Sequence, residues 1–221
     1  MNYYSEQDIR DIVAGVLAQS GVGKTVARQE GKPVPVEVSA RHVHLTTEAL
    51  ETLFGKGYQL TRKRDLSQPG EFLAGERVKL VTRKGEMDNV AILGPVRKQV
   101  QVELSLTDAR SLGLNVPVNL SGNLTGGADV VIVGPNGIVE AKGAAIAARA
   151  HVHMTPGDAR EYQVQDGQEV SIRLNTDRPV TLDGVVVRVR DDFKLAVHVD
   201  YDEANAASVG GEITGFLLKG R

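Results

Sequence analysis

The 221-residue sequence contains no cysteine, no tryptophan and no apolar run long enough to cross a membrane. The lack of cysteine excludes disulfide bonds and thiolate ligands, so a metal site in this chain must be built from histidine and carboxylate groups. The formal net charge of −2 argues against a general nucleic-acid binder. Because the N-terminus also lacks a basic, apolar signal peptide, we expect a cytoplasmic protein with no nucleic-acid or membrane partner.

What the sequence does contain is a long series of short β-type segments. Gly and Asp turns separate them, and no long helix follows any of them, which favours small closed barrels over a doubly wound α/β sheet. With 41% hydrophobic and 24% charged residues, the chain is typical of a globular protein with one large or two small cores. Examples of the predicted strands are Val34–Val38, Arg77–Thr82, Val90–Leu93, Val100–Leu104, Val130–Val133, Glu169–Leu174, Val185–Val189 and Leu195–Val199.

All five histidines occur in one repeated phrase. His42-Val43-His44 and His151-Val152-His153 are two copies of His-x-His in similar surroundings, and His198-Val199-Asp200 is a degenerate third copy. In a strand, residues two apart point to the same face, with Cα atoms roughly 6.6 Å apart. Two imidazoles placed in this way can bind one metal ion, whereas histidines scattered for packing would not follow a common pattern.

The same phrase, written as ligand-x-polar-x-Thr/Asp, has a further copy without histidine. The four copies are His42-x-His44-x-Thr46, Glu103-x-Ser105-x-Thr107, His151-x-His153-x-Thr155 and His198-x-Asp200-x-Asp202. A short helix-like stretch follows each copy, which predicts four strand ends that each present a ligand and then turn into a helix capped by Thr or Asp. Five histidines and one glutamate divide into two three-ligand sites with open positions, as in catalytic zinc sites. The repeats also suggest a duplicated barrel unit, with the metal sites where two units meet.

Two motifs resemble other known sites without meeting their requirements. Glu48 follows His42-x-His44 at the spacing that cupins use, but apolar residues at helical spacing in residues 46–54 make it a first-turn acid that complements a helix dipole. A cupin is therefore only a minority alternative. Gly21–Thr25 ends like a P-loop, but Ala18 stands where the first glycine is required, and the motif follows a helix instead of a strand.

Residues 5–18 are predicted to form a short amphipathic helix, because apolar residues from Ile9 to Leu17 recur at helical spacing. A polar, Gly-containing linker follows as far as residue 33. A helix this short needs a surface on which to bury its apolar stripe. That surface belongs either to its own domain or to another protein.

Two basic segments are candidates for anion binding. Thr61–Phe72 concentrates positive charge, including Lys63 and Arg64, before a Pro-Gly turn, which suits a lid over an anionic ligand. The turn at Gly94–Lys98 comes shortly before Glu103 and could hold Arg97 beside the metals. A guanidinium fork at that position would bind phosphate.

Together, these segments resemble the phosphate propanoyltransferases of the PduL type, which are phosphotransacylases of bacterial microcompartments and of some acetate pathways. The likeness runs in order over residues 34–216. The segments that carry it are Ser39–Thr46, Asp65–Phe72, Gly94–Arg97, Gln101–Ser105, His151–Pro156 and His198–Ala206.

The resemblance implies a mainly β fold of two closed β-barrels capped by short helices, with the active site between them. The units would be an N-terminal helix and linker (residues 1–33), a discontinuous barrel (34–40 and 149–218), and a second barrel (41–148) with a two-strand lid at about 55–76. It also implies two divalent metal ions, expected to be zinc. Their ligands fall on His42, His44 and Glu103 (the first triad) and on His151, His153 and His198 (the second triad).

The implied reaction is the reversible transfer of a short acyl group, propanoyl or acetyl, between coenzyme A and inorganic phosphate, as in propanediol degradation. Arg97 would be the catalytic residue that binds phosphate. Family members of microcompartments carry an N-terminal encapsulation helix, so residues 5–18 are a candidate for binding a shell or core protein inside such a compartment. We also expect a homo-oligomer. The coenzyme A contacts would include Ser39, Lys63, Arg64 and Asn205.

The charges of the two triads suggest how they would divide the substrates. Three neutral histidines leave a metal more positive than two histidines and a glutamate do. We therefore expect phosphate at the second triad with Arg97, and the thioester at the first, with direct attack on the acyl carbon because the chain has no cysteine nucleophile. Two alternatives would use the same ligands: a metal-dependent hydrolase of a thioester or acyl phosphate, and a zinc-stabilised scaffold that docks through residues 5–18.

Overall fold

The computed structural model describes residues 31–218, together with Ser5 and Gln7. The chain divides into a unit of residues 1–31 and a unit of residues 32–221. Most of the predicted helix at residues 5–18 and of its linker lies outside the described residues, so both stay predictions. Strand structure begins at Lys32, just before the predicted end of the linker at residue 33.

Short strands and four short helices alternate along residues 32–218. The strands are β1 Lys32–Ser39, β2 His42–His44, β3 Arg62–Asp65, β4 Phe72–Val81, β5 Glu86–Gly94, β6 Gln101–Leu104, β7 Val118–Asn119, β8 Ala128–Val133, β9 Ile138–Ala148, β10 His151–Met154, β11 Glu169–Leu174, β12 Val180–Val189, β13 Ala196–Asp200 and β14 Ile213–Leu218. The helices are α1 Thr47–Phe54, α2 Leu106–Ser111, α3 Pro156–Tyr162 and α4 Tyr201–Ala206. Each of the eight predicted strands named above falls on an observed strand. None of the helices in the described region has the length and apolarity that a membrane span requires.

Six strands close into a first barrel, called barrel A, in the order β1-β13-β10-β12-β11-β14. In its centre, β10 runs antiparallel to β13 and parallel to β12. The ring closes because β1 pairs with β13 on one side and with β14 on the other.

A second ring, called barrel B, closes in the order β4-β5-β2-β6-β9-β8, since β8 pairs with both β4 and β9. The short strands β3 and β7 add to β4 and β9 outside this ring. The predicted fold, mainly β with two closed barrels and a few short helices, is confirmed.

The two barrels repeat one pattern of strand pairing. When β4-β5-β2-β6-β9-β8 is laid over β11-β12-β10-β13-β1-β14, every parallel and antiparallel contact coincides. However, β1 of barrel A leads directly into β2 of barrel B, and β9 of barrel B leads directly into β10 of barrel A. The first half of the chain therefore gives its first strand, β1, to barrel A, and the second half gives its first strand, β9, to barrel B.

Each barrel has an apolar core of its own. Along β11, for example, Val170, Ile172 and Leu174 are buried while the residues between them are not. Burial with a period of two, carried by β-branched and aliphatic residues, is the pattern that favours strands. Because the chain builds two cores rather than one, polar strand ends can meet between them.

A hairpin of β3 and the start of β4 occupies the predicted lid segment, residues 55–76. The ring of Phe72 packs beneath Arg62, whose guanidinium carbon is 4.5 Å from the ring centre. The same ring fills the space beside Gly94, where any side chain would collide with it. In the turn of the hairpin, Gln68 is buried and bonds to barrel A, donating to the Lys194 carbonyl (2.9 Å) and accepting from its N–H (3.2 Å).

Candidate active site

Four strand-to-helix junctions of one design position the candidate ligands. Each strand ends on an extended N-cap residue whose side chain accepts a hydrogen bond from the N–H of the third helical residue. The caps are Thr46, Ser105, Thr155 and Asp200. One candidate ligand lies two residues before each cap, and these ligands are His44, Glu103, His153 and His198.

These junctions correct the alignment of the four phrases. In the sequence-based alignment, Glu103 and His198 match the first histidine of each His-x-His phrase, His42 and His151. The caps show that Glu103 and His198 correspond to the second histidine, His44 and His153, so their two phrases must be shifted by two residues. A cap must lie outside the first helical turn to reach its N–H groups, and Thr107 and Asp202 lie within it. They connect the two barrels instead, because the Thr107 N–H donates to the Asp202 carboxylate (2.9 Å).

Strand register brings each triad together. On β2 and β6, His42 lies directly opposite Glu103. On β10 and β13, His151 lies directly opposite His198. Directly opposed residues of antiparallel strands are close neighbours. The second histidine of each His-x-His phrase lies two residues further along the same strand, on the same face, and completes the triad.

The first triad has the geometry of a metal site. Its donor atoms all lie within 4.8 Å of one another. The Nε2 atoms of His42 and His44 are 3.2 Å apart, and His42 Nε2 is 3.6 Å from a Glu103 carboxylate oxygen. All three residues are buried. Of the residues that the structure describes, only this group converges closely enough to hold an ion.

Backbone carbonyls orient the two histidine rings of this triad. Nδ1 of His42 lies 2.7 Å from the Ala40 carbonyl, and Nδ1 of His44 lies 3.2 Å from the Leu93 carbonyl. A neutral ring that donates from Nδ1 presents a lone pair at Nε2. Two lone pairs 3.2 Å apart repel unless a cation lies between them. Two nitrogens that share one tetrahedral zinc ion would lie about 3.3 Å apart, so the pair fits such an ion.

The second triad is packed ring against ring. Its centroids lie 4.7 to 5.2 Å apart, and the rings of His151 and His198 are nearly parallel. Nδ1 of His151 bonds to the Arg149 carbonyl (2.9 Å), which leaves its Nε2 free to accept. Nδ1 of His153 is buried and has no hydrogen-bond partner among the described residues. A buried, unsatisfied imidazole nitrogen is a candidate metal donor.

The second triad is held in its neutral form. Burial lowers the pKa of His153 to about 2, with a further contribution from His198. Burial, followed by the charge of His151, lowers the pKa of His198 to about 3. In the first triad, burial and His42 lower the pKa of His44 well below its ordinary value. Neutral imidazoles are the form that binds a metal.

Glu103 is the one acidic member of the two triads. Burial alone would raise its pKa, but His42, the Ser121 hydroxyl, His151 and Arg97 outweigh burial and lower it. The carboxylate also accepts a short hydrogen bond from the amide of Gln101. His151 belongs to the second triad, and both His151 and Glu103 line one cavity.

Both triads line one cavity of about 670 Å³. Its walls come from both barrels and from the lid hairpin, including Gln68, whose amide nitrogen is 3.4 Å from His198 Nε2. Phe193 forms part of the wall and stacks on His153 with a centroid distance of 4.0 Å. A cavity of this size can hold a substrate of moderate size beside the triads.

Arg97, the predicted phosphate ligand, also lines this cavity. Its Nη2 pairs with the Glu71 carboxylate of the lid at 2.8 Å, and its Nη1 lies 3.4 Å from the Ser121 hydroxyl. Its charge acts on the pKa values of His44 and Glu103, so it lies on the side of the first triad.

Of the four residues expected to contact coenzyme A, two line the cavity and two do not. Ser39 and Arg64 line the cavity. Lys63 and Asn205 are exposed and are not part of its lining.

Several residues of the site were not singled out from the sequence. Gln101, Ser121 and Phe193 contact the triads as described above, and Arg188 lies beside the second triad. For Arg188 there was a signal: it is a cation within the apolar strand Val185–Val189. The others are ordinary polar or aromatic residues whose role depends on contacts between distant parts of the chain.

Comparison with known proteins places the chain in a family. The family model described as phosphate propanoyltransferase matches residues 35–210. Among relatives named phosphate propanoyltransferase, one from Alkaliphilus metalliredigens is 43% identical over 216 residues, covering 97% of this chain and 99% of its own. One from Thermotoga maritima is 52% identical over 184 residues, covering 83% and 86%. One from Lachnoclostridium phytofermentans is 46% identical over 211 residues, covering 95% and 96%.

Proposed function

The chain belongs to the phosphate propanoyltransferase family of phosphotransacylases, which are acyltransferases, and we propose that its cavity transfers a propanoyl or acetyl group between coenzyme A and inorganic phosphate. The observation that carries this proposal is a single cavity whose lining includes the converging first triad, the three histidines of the second triad, and the cations Arg97 and Arg188. A thioester and a phosphate both need positive charge beside them when they react.

We propose that each triad holds one divalent metal ion, with zinc expected. The support is the convergence of the first triad and the unsatisfied Nδ1 of His153 in the second. When bound, the ions would supply Lewis-acid polarisation of the thioester carbonyl and stabilisation of the departing thiolate. The chain itself fixes the ring orientations through the Ala40, Leu93 and Arg149 carbonyls.

Phosphate is proposed to bind on the side of the second triad, and the thioester on the side of the first. The second triad brings three neutral rings, whereas the first contains the ionised Glu103, which would repel a phosphate dianion. Arg97 lies on the side of the first triad, but its charge also reaches Arg188 beside the second triad. It would bind the phosphate from across the cavity, with the part of its guanidinium fork that Glu71 does not occupy. Arg64 and Ser39 are placed to meet coenzyme A at the lid side of the same cavity, with exposed Lys63 and Asn205 as outer contacts.

The transfer is proposed to be direct. A phosphate oxygen forms a bond to the acyl carbon, the carbon–sulfur bond breaks, and coenzyme A leaves as a thiolate. The chain has no cysteine to form an acyl-enzyme. Direct transfer predicts intersecting initial-velocity lines for the two substrates, whereas parallel lines or acyl label retained on the protein would show a covalent intermediate.

The test of the proposed function is thiol release from propanoyl-CoA and acetyl-CoA by metal-replete protein, with and without inorganic phosphate. A transferase releases thiol only when phosphate is present and forms acyl phosphate in equal amount. Thiol release that does not depend on phosphate would identify a hydrolase and reject the proposal.

Residues 5–18 are proposed to act as a docking helix for a microcompartment shell or core protein. The support is the amphipathic pattern of the sequence. Removal of residues 1–30 should leave turnover unchanged and abolish co-sedimentation with assembled compartments. Unchanged co-sedimentation would reject this role.

A further inference from the structure

Arg188 is a cation inside the cavity with no anion of its own. It lies on β12, in register with His153 on the neighbouring β10, and lines the cavity. Among residues 31–218 the Arg188 side chain forms no ion pair or hydrogen bond, whereas the Arg97 side chain pairs with Glu71. The ring of Phe193 lies beside it, with its centroid 5.8 Å from the guanidinium carbon.

The surroundings of Arg188 make this lack of a partner costly. Burial lowers its pKa, Arg190 and Arg97 add to that effect, and Glu103 and Asp166 oppose it. An arginine nevertheless stays protonated in a protein. A half-buried guanidinium that faces other cations is unfavourable unless an anion binds beside it. The position therefore calls for an anionic ligand.

We propose that Arg188 is a second phosphate-binding residue, which holds inorganic phosphate, or the phosphoryl end of the acyl phosphate, against the second triad. This inference rests on the proposed function and extends it. Arg97 belongs to barrel B and Arg188 to barrel A, so the anion would be bound by one guanidinium group from each barrel.

The location of Arg188 favours reacting phosphate over the phosphates of coenzyme A. It lies in register with His153 on the neighbouring strand and lines the cavity together with His151 and His198, so it lies at the second triad. Arg190 is less suited to this role, because it is exposed and already pairs with Asp192 at 2.7 Å.

The test compares Arg188→Gln and Arg188→Lys with wild type, and uses Arg173→Gln as the matched control. Arg173 lies in the same barrel on β11, where it bonds to Asn175 and Thr181 away from the cavity. The measurements are the KM values for phosphate and acyl-CoA, metal content, and calorimetric binding of inorganic phosphate to metal-replete protein without acyl-CoA.

Arg188→Gln should raise the phosphate KM and weaken phosphate binding by about tenfold or more, because a charge-assisted hydrogen-bond pair is lost. The KM for acyl-CoA and the metal content should stay within about twofold of wild type. Arg188→Lys should recover part of the loss, since it restores the charge but not the planar fork. The control should resemble wild type.

Normal phosphate binding by Arg188→Gln would overturn the inference. So would a rise in the acyl-CoA KM alone, which would assign Arg188 to coenzyme A, or a loss of metal, which would assign it to the framework. These outcomes are separate from failure of the proposed function, which would appear as phosphate-independent thiol release by the wild-type protein.

Discussion

At the scale of single residues, the chemistry of the site depends on which nitrogen of each histidine is free. The carbonyls of Ala40, Leu93 and Arg149 each engage an Nδ1 atom, so three Nε2 atoms face inward. The sequence could suggest the histidines as ligands, because residues i and i+2 of a strand share a face. It could not supply these ring orientations, since Leu93 belongs to a strand far from His44 in the chain.

Replacing Arg97 by alanine is expected to raise the phosphate KM by about tenfold or more with metal content unchanged. The reason is that Arg97 offers a guanidinium to the cavity but contacts no member of the triads by a hydrogen bond. Steady-state kinetics and metal analysis provide the check. Lys56→Ala, an exposed change outside the cavity, is a suitable control. Normal saturation by phosphate would remove Arg97 from its proposed role.

Glu103→Gln is expected to lower the metal content by roughly one ion per chain and to abolish most turnover. The glutamine would lose the negative charge, and its amide would meet the amide of Gln101, which now donates to the carboxylate. Metal analysis after dialysis measures the effect, with the exposed Glu140→Gln as control. A fully loaded and active Glu103→Gln protein would contradict the assignment of the first triad.

At the scale of elements, the four strand-to-helix junctions show both the strength and the limit of the sequence pattern. The pattern located all four junctions, because caps, acidic first turns and β-type segments are local signals. It aligned two of them wrongly, since Thr107 and Asp202 look as suitable for capping as Ser105 and Asp200. Only the hydrogen bonds from the third helical N–H groups to the side chains of Ser105 and Asp200 identify these two residues as the caps.

The capping box of α4 predicts a stability change with pH. Burial is the main cause that raises the pKa of Glu203 to about 7, with repulsion from Asp200 and Asp202 adding to it, while a hydrogen bond from the Asp200 N–H opposes it. Between the ordinary value of 4.5 and about 7, the folded protein therefore holds a proton that the unfolded chain has released. The free energy of unfolding must fall as pH rises through this window.

In Glu203→Gln, the fall in the free energy of unfolding between pH 5 and 7.5 should be smaller than in wild type by about 1–2 kcal/mol. Urea unfolding at the two pH values measures it, and Glu212→Gln at an exposed position serves as control. Equal pH dependence in wild type and Glu203→Gln would show that other groups cause the change.

At the scale of the whole molecule, the mainly β class and the duplication were predictable, but the exchange of strands was not. The repeated His-x-His phrases are a local sign of duplication. Whether β1 joins the barrel of β2 or the other barrel depends on pairing with β13, more than a hundred residues later in the chain. Strand β9 was not among the strands named from the sequence, because the alanine-rich end of β9, Ala144–Ala148, has one β-branched residue, Ile146, and lacks the alternating pattern that predicts strands.

The exchange has a consequence for how the polypeptide can be connected. In barrel B a tight turn at residues 134–137 joins β8 to β9, and in barrel A the equivalent strands β14 and β1 pair in the same way without a covalent link, with Lys32 opposite Leu217. A circular permutant that links Leu218 to Lys32 and opens between Pro135 and Asn136 should therefore fold, bind metal and turn over. Its circular dichroism spectrum and thiol-release rate would show whether the fold and the turnover depend on where the chain is opened.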